Sequence, residues 1–146
     1  MKRIVLPLLM VLVAGCSGDD SGGLSVDDPW GRPTPDVATT AAFFATISNA
    51  GTADETLVGA TTDACRVIEL HESQMDDGVM RMQQLAGGIP VPAGTTVVLQ
   101  PGGLHIMCID KQVPLVEGDE VALALEFVDG DGERHTESIT AAVEDR

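Results

Sequence analysis

The sequence predicts an all-β protein with a single domain. Short runs in which apolar and polar residues alternate follow one another between residues 41 and 142, and a period of two is typical of half-buried strands. Clusters of Gly, Pro, Asp and Asn separate these runs at short intervals, a pattern typical of β-sandwiches and β-barrels. No stretch after residue 25 has the 3.6-residue periodicity of a helix.

Each strand is predicted from a β-like run bounded by turn-forming residues. The clearest alternation is in Val121–Phe127, where every second residue is large and apolar. Ile89–Pro92 is predicted to be extended, but its prolines restrict it to a sheet edge. The predicted strands, in chain order, are Ala41–Ser48, Thr56–Thr62, Cys65–Glu72, Val79–Gln84, Thr95–Leu99, Leu104–Ile109, Val121–Phe127 and Glu133–Ala142.

Two of the turn signals predict hairpins. Asp76-Asp77-Gly78 would fold Val79–Gln84 back onto the preceding strand, which is predicted to end near His71, because Asp-Gly favours two-residue hairpin turns. That hairpin would bring Met82 close to His71. Asp129-Gly130-Asp131-Gly132 likewise is predicted to connect the last two strands.

The first residues are predicted to be a targeting segment rather than part of the fold. Lys2 and Arg3 precede the apolar run Ile4–Val13, which is too short for a stable transmembrane helix. The run leads into Val13-Ala14-Gly15-Cys16, which resembles a bacterial lipobox and implies cleavage before Cys16 and lipidation of that cysteine. An ordinary secretory peptide with an incidental cysteine is the alternative.

The chain is therefore divided into three parts and is strongly acidic. Residues 1–15 are assigned to a lipoprotein signal peptide, residues 16–25 to the lipidated cysteine and a flexible tether, and residues 26–146 to one β domain.

The net charge of −15 becomes −17 on cleavage, with six basic against 23 acidic residues. Such a charge excludes nucleic acid, whose phosphates require Lys and Arg contacts; its expected role is solubility.

Two cysteines remain once Cys16 is assigned to the lipid. In an exported domain, Cys65 and Cys108 could form a disulfide. Strand alternation is against this pairing, because Cys65 has the phase of His71 whereas Cys108 is out of phase with His105; a bulge would remove the conflict. Both outcomes stay open.

Soft metal ligands cluster between residues 71 and 107. Two of the three histidines and four of the six methionines lie in this window. His105 and Met107 would project from the same face of a strand, and His71 and Met82 lie upstream. A thioether is a poor ligand for zinc, calcium or magnesium but a good one for Cu(I). The window is therefore predicted to bind a soft metal.

The other candidate residues are given structural roles. Met75 and Met80 are expected to pack in the hairpin or to form a hydrophobic rim around the metal site. His135, with no methionine nearby, is expected to be an ordinary surface histidine. Trp30 is expected to plug the core near the first strand, with a partner contact as the alternative.

The spacing of the soft ligands resembles a known family signature. His71, ten residues, Met82, twenty-two residues and His105-x-Met107 look like the H-x10-M-x21/22-H-x-M motif of the PCuAC-type periplasmic copper chaperones. The resemblance covers nearly the whole mature domain. Further matching segments are Pro29–Pro35, Glu69–Glu72, Met75–Met82, Pro92–Gly94, Pro101–Met107 and Pro114–Asp119.

This resemblance implies a cupredoxin-like Greek-key β-barrel or sandwich and a solvent-accessible Cu(I) site. The implied ligands are His71, Met82, His105 and Met107, whereas Cys108 lies outside the signature and leaves a thiolate role open. The implied task is delivery of copper to the copper centre of cytochrome c oxidase, beside a Sco-type thiol–disulfide protein. We expect a monomer, lipid-anchored to the outer face of the cytoplasmic membrane or located in the periplasm.

Two other functions fit parts of the sequence. A cupredoxin-like electron-transfer protein would use a Cys with two His and a weak axial ligand, but the order His-x-Met-Cys around Cys108 differs from the Cys…His…Met loop of that class. A metal-free extracytoplasmic β-sandwich would use its acidic surface for protein contacts. We expect no enzymatic activity, since no catalytic motif surrounds the histidines.

Overall fold

In the computed structural model, which describes residues 23–146, the chain is all-β, as predicted. The predicted signal peptide, Cys16 and most of the predicted tether lie outside the described residues. Residues 23–146 contain no helix long and apolar enough to cross a membrane. The strands are β1 Leu24–Gly31, β2 Thr40–Asn49, β3 Glu55–Thr61, β4 Cys65–Asp76, β5 Val79–Gln84, β6 Ile89–Val91, β7 Thr95–Leu99, β8 Leu104–Lys111, β9 Glu120–Asp129 and β10 Arg134–Val143.

The strands form one open sheet that curls around a hydrophobic core. Its hydrogen-bonded order is β5-β4-β8-β2-β1-β10-β9-β3-β6, and β7 pairs with β2. Side chains from near both ends of this order, such as Leu70 on β4, Leu57 on β3 and Ile89 on β6, are buried in the same cluster. Since β5 ends the order, one of its edges has no strand partner in the described part of the chain.

The sequence patterns did not predict β1. It begins at Leu24, two residues before the predicted domain boundary, because Leu24 is buried in the core and pairs with the last residue of β2. A bulge interrupts the strand near Asp28, where φ is 49°. Pro29 follows, and a proline cannot donate a hydrogen bond to the ladder, so the segment lacks the regular alternation of a strand.

The other predicted strands are present: β5 and β7 have the predicted bounds, and the rest have shifted ends. The largest difference is in β4, which continues to Asp76 instead of ending at Glu72. His71 therefore lies inside a strand and not at a strand end. Ile89–Val91, within the segment predicted to be an edge, is the last strand of the sheet.

Cys65 and Cys108 are joined by a disulfide between β4 and β8. The pairing that the sequence left open is therefore formed, and the phase argument against it fails because β4 loses its alternation between Cys65, which is buried, and Val67, which is exposed. On the facing strand, Asp110 has φ of 55°, in the left-handed region, and it lies between the ladder pairs Cys65–Lys111 and Val67–Ile109. Both cysteines are buried, so Cys108 is unavailable as a thiolate while the disulfide is present.

Replacing both cysteines, Cys65→Ala with Cys108→Ala, is expected to lower the free energy of unfolding by about 4 kcal/mol, because the disulfide closes a long loop in the unfolded chain. The two cysteines are 43 residues apart. Urea denaturation measures the difference, and the double variant should no longer respond to a thiol reductant. An unchanged unfolding midpoint would contradict this expectation.

Candidate metal site

His71 on β4 and His105 on β8 lie directly opposite each other in neighbouring strands. Their ring centroids are 5.7 Å apart, and the rings are inclined at 70°. The adjoining pair, Leu70 and Ile106, is buried in the core. Strand alternation therefore places both histidines on the opposite, outer face of the sheet. The face of β2, β4, β5 and β8 that carries His71 and His105 is called the site face.

The loop before His105 sets the orientation of its ring. Pro101 and Gly102 form a turn in which φ of Gly102 is 79°, and proline followed by such a glycine is typical of a type II turn. The Gly103 carbonyl at the end of this turn lies 3.1 Å from His105 Nδ1. A carbonyl only accepts, so the proton is on Nδ1 and the lone pair of Nε2 is left for a metal.

His71 is oriented through its other ring nitrogen. Its Nε2 lies 2.8 Å from Oε2 of Glu69, which is two residues earlier on the same face. An ionised carboxylate only accepts, so this contact puts the proton on Nε2. Nδ1 is buried and has no hydrogen-bond partner among the described residues, which makes its lone pair a candidate metal ligand.

Met82 reaches the site face through the β4–β5 hairpin, whose prediction is confirmed. Asp77 and Gly78 form the turn with φ of 49° and 80°, and positive values at both positions are typical of the type I′ turn. Met82 pairs with Ser73, two residues beyond His71, so it faces the same side. The Met82 residue is 58% exposed.

A groove of about 420 Å³ connects Met82 with His105. Phe44 and Met80 contribute apolar walls, and Arg32 contributes a cation. Met80 thus lies at the rim of the site, as expected. His71 lies beside this groove rather than among its lining residues.

Met107 lies two residues after His105 on β8 and directly opposite Glu69 on β4. It is half-buried and shares the site face with both histidines. The register places Met107 and Met82 on opposite sides of the histidine pair. The structure therefore brings all four sequence-predicted ligands to one face, with the two histidines adjacent and the methionines flanking them.

The residues available on this face favour a soft metal. Within residues 23–146, no three His, Cys, Asp or Glu side chains converge to hold a metal ion, so no such site for zinc or a hard cation is formed there. Cys108 belongs to the core and to the disulfide. The site face instead offers imidazoles and thioethers, a combination that suits Cu(I).

Aromatic side chains support the histidine pair. The ring centroids of Trp30 and Phe44 are 4.5 Å apart, and those of Phe44 and His105 are 6.4 Å apart. Trp30 is buried as expected, but it packs against Phe44 on the site face and not in the main core cluster. Phe44 was missed by the sequence patterns. Its signal is the pair Phe43-Phe44, because consecutive strand residues face opposite sides.

His135 is not the ordinary surface histidine that was expected. Its ring stacks on Phe127 at 5.6 Å between centroids, and its Nε2 lies 3.8 Å from Oε2 of Glu55. Both of these atoms are buried without a hydrogen-bond partner among the described residues. Burial raises the pKa of Glu55, although the nearby His135 opposes the shift. This pair lies away from the histidines of the site face.

The chain resembles known lipoproteins in sequence. The LpqE-like lipoprotein family profile matches residues 24–139. A protein named "Putative lipoprotein Lxx21020", from Leifsonia xyli subsp. xyli, is 34% identical over 113 residues, which are 77% of this chain and 67% of that protein.

The fold resembles solved PCuAC domains. The copper-bound PCuAC domain from PmoF2 matches with a TM-score of 0.68 and 22% identity, over 86% of this chain and 95% of that chain. The solution structure of CuI-DR1885 from Deinococcus radiodurans matches with a TM-score of 0.64 and 25% identity, over 85% of this chain and 81% of that chain. The predicted PCuAC resemblance and the all-β, cupredoxin-like fold class are confirmed.

Glu55→Gln is expected to raise the melting temperature at neutral pH. Since the pKa of Glu55 is raised in the folded protein, its protonation stabilises the fold below the unfolded-state pKa, and this stabilisation is lost as pH rises through the folded-state value. The increase in melting temperature caused by Glu55→Gln should therefore be larger at about pH 7 than at about pH 4. The exposed Glu133→Gln variant is the control and should change little. A variant that melts below the wild type at neutral pH would contradict the expectation.

Proposed function

The chain belongs to the LpqE-like lipoprotein family, and we propose that it is an exported, lipid-anchored protein that binds one Cu(I) ion and hands it to a recipient protein. One observation carries the proposal: His71 and His105 are adjacent, and each has one ring nitrogen held by the protein. The second nitrogen of each ring is left for a metal.

The spacing of the two imidazoles suits a shared ion. Metal–nitrogen bonds of about 2 Å place two imidazole ring centres roughly 5–6 Å apart when both bind one tetrahedral ion. The ring centroids of His71 and His105 are 5.7 Å apart. The pair could therefore bind copper without a large movement of either strand.

Met82 and Met107 would complete the ligand set. Because they flank the histidines from opposite sides, binding by both would draw the exposed Met82 thioether inward from the β4–β5 hairpin. β5 is the terminal strand and pairs with β4, so such a movement leaves the core unchanged. Two imidazoles and two thioethers are neutral ligands, and thioethers select Cu(I).

Known structures support this function. A PCuAC domain from PmoF2 has been solved with copper bound, and DR1885 has been solved with Cu(I). Both match most of this chain in fold. The shared fold and the placement of the predicted ligands here are consistent with the same kind of cargo.

The position of the site favours transfer rather than storage. Met82 is 58% exposed, and the groove beside His105 lies on the outside of the sheet. The proposed recipient is the copper centre of cytochrome c oxidase, with a Sco-type protein as a further partner, as the PCuAC resemblance implies. The protein would act as a monomer without catalytic activity, held at the membrane through lipid on Cys16.

The alternative functions have less support. An electron-transfer cupredoxin requires a cysteine ligand beside two histidines, whereas Cys108 is fully buried and disulfide-bonded. A metal-free binding module would give no role to Nδ1 of His71, which is buried and has no hydrogen-bond partner within residues 23–146.

Replacing any one proposed ligand by alanine is expected to weaken Cu(I) binding on the order of tenfold or more, because substituting residues that only hydrogen-bond to a metal ligand already lowers metal affinity by about that factor. The four ligands are His71, Met82, His105 and Met107. Competition with a chromophoric Cu(I) chelator under anaerobic conditions measures the affinity. Met75→Ala is the matched control, because Met75 is a 67% exposed methionine of the same hairpin that is not proposed as a ligand.

The double variant His105→Ala with Met107→Ala provides the strictest version of this experiment. Circular dichroism and thermal unfolding establish that it folds. Full Cu(I) affinity in a folded double variant would refute the proposed site.

A further inference from the structure

The two histidines of the site are held through different ring nitrogens. We propose that Glu69 is a positioning residue that makes His71 bind copper through Nδ1, whereas His105 binds through Nε2. This role rests on the proposed Cu(I)-binding function and adds to it a residue that is not part of the ligand set.

Glu69 is positioned for this role by the alternation of β4. It lies two residues before His71 on the same face, and its Oε2 is 2.8 Å from His71 Nε2. The Glu69 side chain is 28% exposed and that of His71 is 14% exposed, so water has limited access to the contact. Because a carboxylate has no proton to donate, the hydrogen bond requires the proton to be on Nε2.

The remaining ring nitrogen of His71, Nδ1, is an acceptor when the proton is on Nε2. Nδ1 is buried and has no hydrogen-bond partner among the described residues. A buried acceptor without a partner destabilises the folded protein, and a bound cation would satisfy its lone pair. This nitrogen belongs to a ring that contacts His105 and lies on the face that carries both methionine ligands.

His105 has the opposite tautomer because a main-chain carbonyl accepts the hydrogen bond from its Nδ1. The Gly103 carbonyl accepts hydrogen bonds from the Ser73 N–H at 3.0 Å and from His105 Nδ1 at 3.1 Å. One carbonyl therefore attaches the loop to β4 and holds the imidazole. Since this acceptor is a main-chain atom, side-chain substitution does not remove it, whereas the acceptor for His71 is a side chain that can be changed.

The Glu69 contact should affect copper binding in two ways. A carboxylate behind a metal-binding imidazole fixes the ring and raises its basicity. It also places a negative charge near a monovalent cation. Without Glu69, His71 is free to take the tautomer with the proton on Nδ1, so Cu(I) affinity should fall about 10- to 100-fold.

The tautomers can be measured without copper. Long-range 1H–15N spectra of the apo protein, at a pH where both rings are neutral, distinguish protonated from unprotonated ring nitrogens. We expect the proton on Nε2 of His71 and on Nδ1 of His105. Glu69→Ala should move the His71 proton at least in part to Nδ1 without changing His105. Glu69→Gln should restore the pattern in part, because its amide oxygen can still accept.

Glu72→Ala is the matched control for the lost charge. Glu72 adjoins His71 in sequence, but alternation turns it to the other face, and its carboxylate accepts from Gln74. This substitution should leave the tautomers of both histidines unchanged. The same spectra report whether each variant is folded.

A titration with Cu(I) completes the test. Nδ1 of His71 and Nε2 of His105 should show the ligation shifts, and Glu69→Ala should bind 10- to 100-fold more weakly than the wild type. A proton on Nδ1 of His71 in the wild-type apo protein, or copper on its Nε2, would overturn the role of Glu69 and leave the chaperone function standing. Failure of the wild type to bind Cu(I) would overturn the proposed function and the copper part of this inference with it.

Discussion

The register between β4 and β8 is the constraint on which the rest of the site depends. It sets His71 opposite His105 and Leu70 opposite Ile106, so the same two strands supply part of the site face and part of the core. A slip of one residue would exchange the two faces, which would turn the histidines toward the core and the apolar pair toward the outer face. The disulfide joins these same strands and therefore opposes the slip. The free-energy cost of burying polar imidazole rings in the core opposes it as well.

The two sides of the site face differ in burial: the His105 side is packed against the protein, whereas the Met82 side is open to solvent. His105 is buried, held by the Gly103 carbonyl and packed near Phe44. Met82 lies on the terminal strand and is largely exposed. Such a division suits a carrier, because a preformed imidazole pair can capture the ion while an exposed thioether can be displaced by a ligand of the recipient. A site enclosed on all sides would hold the ion without offering a route for exchange.

The features that could be predicted from the sequence follow local rules. Asp77-Gly78 specifies its turn through the φ values that it tolerates, and this turn brings β5 beside His71. Features that depend on irregular backbone could not be predicted in this way. Pro29 obscures β1, and the period of two fails on β4 between the buried Cys65 and the exposed Val67, opposite the left-handed Asp110. The role of Glu69 depends on its side-chain rotamer, which strand alternation does not specify. In the sequence alone, Glu69 looks the same as a glutamate whose carboxylate contacts only water.

X-ray absorption at the copper edge of the Cu(I)-loaded protein would identify the atoms that bind the ion. We expect one Cu(I) with two nitrogen neighbours showing imidazole scattering and two sulfur neighbours at thioether distances, because the four proposed ligands lie on one face while both cysteines are in the disulfide. A short copper–thiolate distance, or a shell without sulfur, would contradict the proposed ligand set.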